Sequence, residues 1–290
     1  MWQGRDDGDD IIHNRVFKCL DKNSQTKLLG FCSDMGVERN KGRVGSKNAP
    51  KIIRKSMANF AVFDDFCFDD LGDIENFDTL ENADKILYQK LFDCIANDNY
   101  CVVLGGGHET SLSGINAIID SKKSVGVINF DAHFDVRKQD LHTSGNSFYN
   151  AYMHAKQNGC KYNYLCVGAN KLANTKALFD TMEEMNASYV LDSDFDSVEN
   201  AINDFIKQND FIYLSIDVDV FSYVYAPGVS APSVYGIALK DILKPLKILL
   251  DSNKVLLADI CEFNPVYDID GHTAKLCAYL AYFLLRKGNI

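Results

Sequence analysis

The sequence predicts an α/β fold in which helices cover both faces of a mostly parallel sheet. Short apolar runs rich in β-branched residues, at 101–104, 125–128 and 211–214, are typical of buried parallel strands. Segments with helical spacing alternate with these runs, and such alternation favours a parallel sheet between two helical layers. Charged or ionisable residues follow each of these runs within four residues, near the point where ligands gather in open α/β sheets.

The elements follow one another along the whole chain. Strands are predicted at 27–32, 61–66, 101–104, 125–128, 162–168, 189–191, 211–214 and 255–260. Helices are predicted at 49–57, 82–98, 111–121, 148–158, 173–185, 199–208, 238–250 and 273–286. Pro50 suits the first turn of its helix, where an amide proton would be unpaired. The Gly-rich segment 36–45 and the segment 137–147 are predicted as loops, and the Asp-rich stretch 63–84 as a solvated surface segment.

Length and composition indicate one domain. The chain has 290 residues, of which 47% are hydrophobic and 24% charged, which is enough for a sizeable core. Because no Pro/Gly/Ser-rich linker divides it, we expect a single domain over 1–290, with 1–26 as an N-terminal extension that packs on it. The net charge of −10 argues against nucleic acid as a partner.

Cysteine usage and hydropathy indicate the compartment. None of the nine cysteines forms a C-x-x-C pair, and several lie in apolar runs, so buried free thiols are favoured over a disulfide framework. The first seven residues are polar and contain no apolar signal core. No stretch of about 18 apolar residues is present, so no membrane span is expected. We therefore expect a cytoplasmic protein.

Four aspartates and two histidines stand in three short segments at the ends of predicted strands. They are His108, Asp131, His133, Asp135, Asp217 and Asp219. In an extended chain alternate residues point to one face, so each segment would aim its ligands in one direction. Burying these carboxylates together is costly unless a cation neutralises them. Mostly oxygen ligands with two imidazoles favour Mn, with Fe, Co or Zn as options. The alternative is that these residues are N-caps and turn residues.

The three segments occur in an order that resembles the ureohydrolase family, which includes arginase, agmatinase and formimidoylglutamase. The matching motifs are G-G-G-H-E, N-F-D-A-H-F-D and S-x-D-x-D, followed by A-P-G-x-S-x-P at 226–232. The resemblance runs from about Leu28 to the C-terminus. It implies a three-layer α/β/α, arginase-like fold and a dinuclear centre of two Mn²⁺ per chain. All six residues would bind metal, with Asp131 and Asp217 as bridges.

The resemblance also implies a reaction, the hydrolysis of a C–N bond at an amidine or guanidine carbon. Asp135 would take a proton from the attacking water, which the two metals activate, and hand it to the leaving nitrogen. Glu262, in the segment I-C-E-F-N-P after the last strand, matches the glutamate that orients the cationic substrate. For Glu262 the competing interpretation is a surface charge.

Within this family the sequence looks most like the formimidoylglutamases, through 2–5, 30–34, 40–45, 134–137 and 173–175. Arginases carry a proton-shuttling His where Phe148 stands, and an Asp that binds the substrate's α-ammonium where Ala173 stands. N-Formimidoyl-L-glutamate has no free α-ammonium. The resemblance therefore implies its hydrolysis to L-glutamate and formamide, a step of histidine degradation.

That substrate carries two carboxylates, which need local positive charge. The candidate substrate-binding residues are Arg137, Ser144, Asn146, Lys171 and Arg43. Arg137 is the strongest of them because it lies two residues from a predicted ligand. For each basic residue a solvated surface role is an equal alternative. His142 is a possible proton shuttle, or a solvated loop histidine.

Other functions remain open on the sequence alone. An agmatinase- or guanidinobutyrase-like enzyme would release urea, although agmatinases usually carry a His where Ser144 stands. A deacetylase of the same metal-binding superfamily would lack the paired D-x-H-x-D and D-x-D order. A non-enzymatic protein that keeps the fold is a third alternative. We expect a small-molecule substrate, a homo-oligomer, and no nucleic-acid or membrane partner.

Overall fold

The computed structural model describes residues 2–8 and 10–290. Met1 and Asp9, both in the predicted extension 1–26, lie outside the described residues. The strands are Thr26–Phe31 (β1), Asp69–Ile74 (β2), Tyr100–Leu104 (β3), Ser124–Phe130 (β4), Lys161–Ala169 (β5), Ser188–Leu191 (β6), Ile212–Asp217 (β7) and Val255–Cys261 (β8). The helices are Met35–Arg39 (α1), Ala49–Met57 (α2), Leu80–Ala96 (α3), Thr110–Lys122 (α4), Ser147–Gln157 (α5), Lys176–Glu184 (α6), Val198–Gln208 (α7), Leu239–Asp251 (α8) and His272–Leu285 (α9).

The eight strands form one sheet in the order β2-β1-β3-β8-β7-β4-β5-β6. Every pairing in it is parallel. Two hydrophobic clusters lie on its two faces, one formed with α2, α7, α8 and α9 and the other with α3, α4, α5 and α6. The prediction of a three-layer α/β/α fold with a parallel sheet is confirmed.

Two local predictions are wrong, and both concern the edge of the sheet beyond β1. The predicted strand 61–66 is absent, and within it only Ala61 forms an isolated bridge, with Arg15. The Asp-rich stretch 63–84, predicted as solvated, instead contains β2. The reason is Arg54 on α2, which is fully buried and pairs with Asp70 and Asp73 of β2. These ion pairs allow polar residues to occupy a strand.

The predicted Gly-rich loop 36–45 is also partly helical, because α1 covers its first four residues. The remaining predicted strands and helices are present, with ends shifted by at most three residues. All nine cysteines are free, as predicted. Among the residues described, no helix combines the length and hydrophobicity that crossing a bilayer requires.

Four neighbouring strands position the candidate site. β3, β8, β7 and β4 lie side by side, and because they are parallel their carboxyl ends meet at one edge of the sheet. His108 and Glu262 follow β3 and β8, Asp217 ends β7, and Asp131 follows β4. In open parallel sheets this edge is where ligands bind.

Candidate metal centre

His108 reaches the centre from the tight turn between β3 and α4. A β-carbon at Gly106 would lie 1.7 Å from the carbonyl oxygen of Ser33, so only glycine allows the turn to pass that close. The amide of Gly105 donates to the carbonyl of Ile260 on β8, over 2.8 Å. These contacts fix the turn, and the His108 side chain is fully buried at its end.

The segment from Asp131 to Asp135 is a loop rather than a continuation of β4. Asp131 Oδ1 accepts the amide of His133 at 2.6 Å, and Asp135 has a left-handed backbone with φ of 48°. Asn174 holds the loop in place: its Oδ1 accepts the amide of Phe134, and its Nδ2 donates to the carbonyl of Ala132, each over 2.9 Å. Strand alternation was therefore the wrong reason for expecting these side chains to converge, although they do.

Asp217 and Asp219 come from the end of β7 and the 3-10 turn Val218–Val220 that follows it. Asp217 Oδ1 accepts the amide of Asp219 at 2.8 Å and so caps this turn. Its other oxygen, Oδ2, lies 3.2 Å from His108 Nδ1. The N-cap interpretation thus holds for one oxygen of Asp217, while the other faces the candidate site.

The six predicted ligands form two overlapping groups, each with its donor atoms within 4.8 Å of one another. One group joins His108 to Asp131, Asp135 and Asp217, and the other joins Asp131, His133 and Asp219. Nδ1 of His108 lies 3.0 Å from Asp135 Oδ2, and Nδ1 of His133 lies 3.0 Å from Asp219 Oδ2. Asp131 belongs to both groups, which suits a carboxylate shared by two ions.

Burial raises the pKa of three of these carboxylates, whereas at Asp131 the hydrogen bonds to His108 and His133 outweigh burial and lower the pKa. Burial and the charges of Asp219 and Asp131 raise the pKa of Asp217 well above its usual value. Burial and Asp131 likewise raise the pKa of Asp135. Burial alone would lower the pKa of His108, but hydrogen bonds to Asp131, Asp135 and Asp217 outweigh it and raise that pKa well above the usual value. Four carboxylates also outnumber two imidazoles, so the cluster has more acidic groups than its own imidazoles can balance.

A pair of divalent cations fits these residues. Four carboxylates would balance the charge of two such ions, and oxygen with imidazole nitrogen is a donor set that Mn²⁺ accepts. The six predicted ligands supply two groups of donors rather than one, and the two share Asp131. Burial of the carboxylates, costly when they are alone, becomes favourable once cations neutralise them.

Glu262 lies beside this cluster, in an uncommon backbone conformation and with two hydrogen bonds that fix its position. Its φ is 66°, a left-handed value that is uncommon for glutamate. Its amide donates to the carbonyl of Gly106 at 2.8 Å, and its Oε1 accepts the amide of His108 at 2.9 Å. Burial, followed by the charge of Glu109, raises the pKa of Glu262 to about 8. The surface-charge interpretation is wrong, because Glu262 is only 7% exposed.

The predicted basic residues differ in exposure and in whether their charged groups already have partners among the described residues. Arg137 is exposed and makes no ion pair with any described residue. Lys171 is also exposed, beside two residues that line the cavity next to His133. Arg43 is already engaged: Nε donates to the carbonyl of Ser230 at 2.8 Å, and the guanidinium stacks on Tyr267 at 3.8 Å. Arg43 therefore joins two loops in addition to any role with substrate.

The predicted loop residues Ser144 and Asn146 are buried in the segment 137–147. Asn146 Oδ1 accepts the amide of Thr143 at 2.8 Å, so it shapes the loop. Ser144 Oγ accepts from Asn40 at 3.2 Å, which joins this loop to the one after α1. His142 is not solvated, since its Nδ1 lies 2.8 Å from Asp84 Oδ2 and its Nε2 lies 3.3 Å from Ser147 Oγ.

A cavity of about 610 Å³ lies beside His133, the one predicted ligand among its lining residues. Its walls come from the loop after β5 and from the loop that follows β7. The lining residues are Ala132, His133, Asn170, Leu172, Ala173, Ala231, Pro232, Ser233, Val234 and Tyr235. Its volume is within the range of small-molecule sites, and His133 belongs both to its wall and to one of the two ligand groups.

Some residues that shape the loops around the predicted ligands were not predicted from the sequence. Asn174 is one, because it shapes the Asp131–Asp135 loop. Glu109 is another: it is fully buried, and its Oε1 accepts from Ser33 Oγ at 2.8 Å and from the amide of Gly36 at 3.0 Å. The sequence signal that could have identified Glu109 was its position directly after His108, at the end of a buried strand. Phe148, noted only as a departure from arginases, packs edge-on against the His108 ring at 5.1 Å.

The chain is similar in sequence and in fold to known proteins. The model of the arginase family matches residues 24–286. Formimidoylglutamase from Vibrio parahaemolyticus is 36% identical over 311 residues, covering 97% of this chain and 92% of that protein. The enzyme of the same name from Chromobacterium violaceum is 39% identical over 268 residues, covering 89% and 86%. A crystal structure of Trypanosoma cruzi formiminoglutamase with two Mn²⁺ shares the fold, with a TM-score of 0.84 at 22% identity, covering 96% of this chain and 99% of that one.

Proposed function

We propose that this chain, which belongs to the arginase family, hydrolyses N-formimidoyl-L-glutamate to L-glutamate and formamide. The observation that carries the proposal is the pair of buried ligand groups sharing Asp131, with Glu262 beside them. Such a centre suits hydrolysis at the planar carbon of an amidinium. The choice of substrate rests on the formimidoylglutamases that are 36% and 39% identical to this chain.

The proposed ligands are His108, Asp131, His133, Asp135, Asp217 and Asp219, and the proposed cofactor is two Mn²⁺ per chain. Asp131 is the proposed shared ligand because it lies in both groups. Asp217 contacts the His108 group, and its role as a second bridge stays a prediction. When bound, the two ions supply the Lewis acidity that allows water to attack near neutral pH.

Asp135 is the proposed proton carrier. Its side chain is 15% exposed, more than that of Asp131 or Asp217, so it borders the space that water and substrate enter. A carboxylate at this border can accept a proton from the attacking water. The same proton then goes to the glutamate nitrogen, whose bond to the amidine carbon breaks.

Glu262 is the proposed partner of the cationic amidine. One carboxylate oxygen is occupied by the amide of His108, and the other is available for an N–H of the substrate. Burial raises the pKa of Glu262 to about 8, and a cation bound beside it favours the ionised form, so the bound amidinium meets a carboxylate. The buried position strengthens this interaction, since less water competes for either partner.

A substrate panel tests the proposed function. Mn²⁺-loaded protein is incubated with N-formimidoyl-L-glutamate, arginine and agmatine, and formamide, urea and ammonia are measured. We expect formamide and L-glutamate in equal amounts, with little or no urea from the other two substrates. A higher kcat/KM for arginine or agmatine would overturn the choice of substrate and leave the family assignment intact.

Arg137→Ala tests recognition of the substrate's carboxylates. Arg137 has no ion-pair partner among the described residues, so its guanidinium is available to an anion. We expect KM to rise by about tenfold or more and kcat to change less, because a contact remote from the reacting carbon contributes mainly uniform binding. Lys138→Ala is the matched control, since Lys138 is its neighbour and pairs with Glu184. Equal KM values in the two variants would contradict the assignment.

The expected homo-oligomer and cytoplasmic location stay predictions. The substrate-binding roles of Ser144, Asn146, Lys171 and Arg43 do too, and alanine variants assayed alongside Arg137→Ala test them. Analytical ultracentrifugation of the purified chain tests the oligomer directly. A sedimentation coefficient that fits a single chain at micromolar concentration would contradict it.

A further inference from the structure

A buried hydrogen-bonded network contacts the edge of the His108 ring opposite Nδ1. His108 Nε2 lies 2.8 Å from Ser215 Oγ, and Ser215 Oγ lies 2.5 Å from Asp259 Oδ1. Parallel register places Ser215 of β7 directly beside Asp259 of β8. Asp259 Oδ2 accepts from Ser111 Oγ at 2.7 Å and from the hydroxyl of Tyr213. All five side chains are fully buried.

The order of donors and acceptors in this network fixes the tautomer of His108. Asp259 accepts from three hydroxyls and donates to none of them. The single hydroxyl proton of Ser215 goes to Asp259, at the shortest contact that Ser215 makes, so its oxygen accepts from His108. Nε2 of His108 then carries a proton, and in a neutral imidazole Nδ1 is left with a free lone pair.

That lone pair is on the side of the proposed metal centre. Nδ1 lies 3.0 Å from Asp135, 3.2 Å from Asp217 and 3.3 Å from Asp131. Metal-binding histidines commonly donate their other N–H to a carboxylate or a polar group that orients the ring. Here that role is filled by a serine, which is itself held by a carboxylate.

We propose that Asp259, acting through Ser215, is a positioning residue that fixes the tautomer and orientation of His108. The network thereby sets the affinity of the metal ion that His108 binds. The proposal rests on the proposed dinuclear centre but is independent of the substrate. Asp259 is the only charged residue within β8, and its burial is costly without the three hydroxyls. A role in positioning His108 explains why β8 carries a buried carboxylate at this position.

Asp259→Asn should reverse the proton order at nearly constant shape. The amide oxygen can satisfy two donors on the Oδ2 side, Ser111 and Tyr213, and only one on the Oδ1 side, Ser215. Because two hydrogen bonds are more favourable than one, the amide oxygen takes the Oδ2 position, and the NH₂ group faces Ser215. Ser215 then accepts from Asn and turns its own proton toward His108 Nε2. His108 carries its proton on Nδ1 instead, which is the wrong tautomer for binding the ion.

The test measures Mn²⁺ binding to metal-free protein by calorimetry and by electron paramagnetic resonance. In Asp259→Asn and Ser215→Ala we expect one of two ions to bind about 10- to 100-fold more weakly. At intermediate Mn²⁺ the variants should show the signal of isolated ions where the unmodified chain shows spin-coupled pairs. Ser113→Ala is the matched control, because Ser113 lies on the same helix as Ser111 but donates to the backbone carbonyl of Asp84. It should bind both ions as the unmodified chain does.

A second comparison separates positioning from general destabilisation. In a His108→Ala background, Asp259→Asn should cost no further Mn²⁺ affinity, because the residue through which it acts is gone. An additive loss there would overturn the proposal, and so would unchanged binding in folded Ser215→Ala. Thermal unfolding of each metal-free variant reports on folding, and if Asp259→Asn is unfolded, Ser215→Ala decides. Since no substrate is involved, failure of the proposed function would leave this result unaffected.

Discussion

Replacing Asp131 with alanine is expected to abolish hydrolysis and to remove most of the bound Mn²⁺. Asp131 lies in both ligand groups, so its loss takes a donor from each ion at once. The remaining carboxylates, Asp135, Asp217 and Asp219, would then lie close together with less cation to neutralise them. We expect well under one Mn²⁺ per chain by metal analysis, at concentrations where the unmodified chain holds about two. Formamide production should fall to the assay background.

Two further variants show whether this loss comes from the metal centre. Asp131→Asn keeps the shape of the side chain and its contact with the amide of His133 but removes the charge, and it should also lose metal. Asp204→Ala is the control, because Asp204 is an exposed carboxylate on α7 that pairs only with Lys207 among described residues. Two ions bound in Asp131→Ala would show that the shared-ligand assignment is wrong.

The convergence of the predicted ligands could be predicted from the sequence because buried parallel strands are recognisable by composition. The run 101–104 contains only apolar residues, and all four are fully buried in β3. A charged residue at the end of such a run must lie where neighbouring strands also end. That inference needs no knowledge of the loops. It brought His108, Asp131 and Asp217 together correctly.

The local geometry of the ligand loops could not be predicted in the same way. Strand alternation would aim Asp131, His133 and Asp135 in one direction, but His133 belongs to one ligand group and Asp135 to the other. The division arises because Asp135 adopts a left-handed backbone and because Asn174 holds the loop from a distant segment. Neither is encoded in the spacing of the motif.

Contacts between distant segments account for the other failures. The aspartates of β2 made it look like a solvated stretch, but Arg54 on α2 compensates their charge and allows them to form a strand. Asp259 attracted no attention because its partner Ser215 is 44 residues away in sequence and becomes its neighbour only through the register of β7 and β8. Sequence patterns report burial and periodicity. These two contacts depend instead on which helices and strands become neighbours in the fold.

Glu262→Gln is expected to keep the fold and the metal content and to lower kcat/KM by about 10²-fold or more. Glutamine keeps an amide oxygen that can accept the N–H of His108, so the turn between β3 and α4 stays in place. The second position of the side chain changes from a charged acceptor to an NH₂ donor. That donor faces the N–H groups of the amidinium, so an attraction that orients the substrate becomes a repulsion. Because Glu262 is buried, little water is available to weaken either effect.

The measurement pairs steady-state kinetics on N-formimidoyl-L-glutamate with metal analysis of the same sample. Glu183→Gln, an exposed glutamate on α6, is the control and should match the unmodified chain in both. Loss of turnover with Mn²⁺ retained would place Glu262 at the substrate rather than among the ligands. Loss of metal together with activity would instead make it part of the support for His108. Turnover within a few-fold of the unmodified chain would remove Glu262 from the mechanism, because a buried carboxylate that pairs with the reacting cation cannot be neutralised without cost.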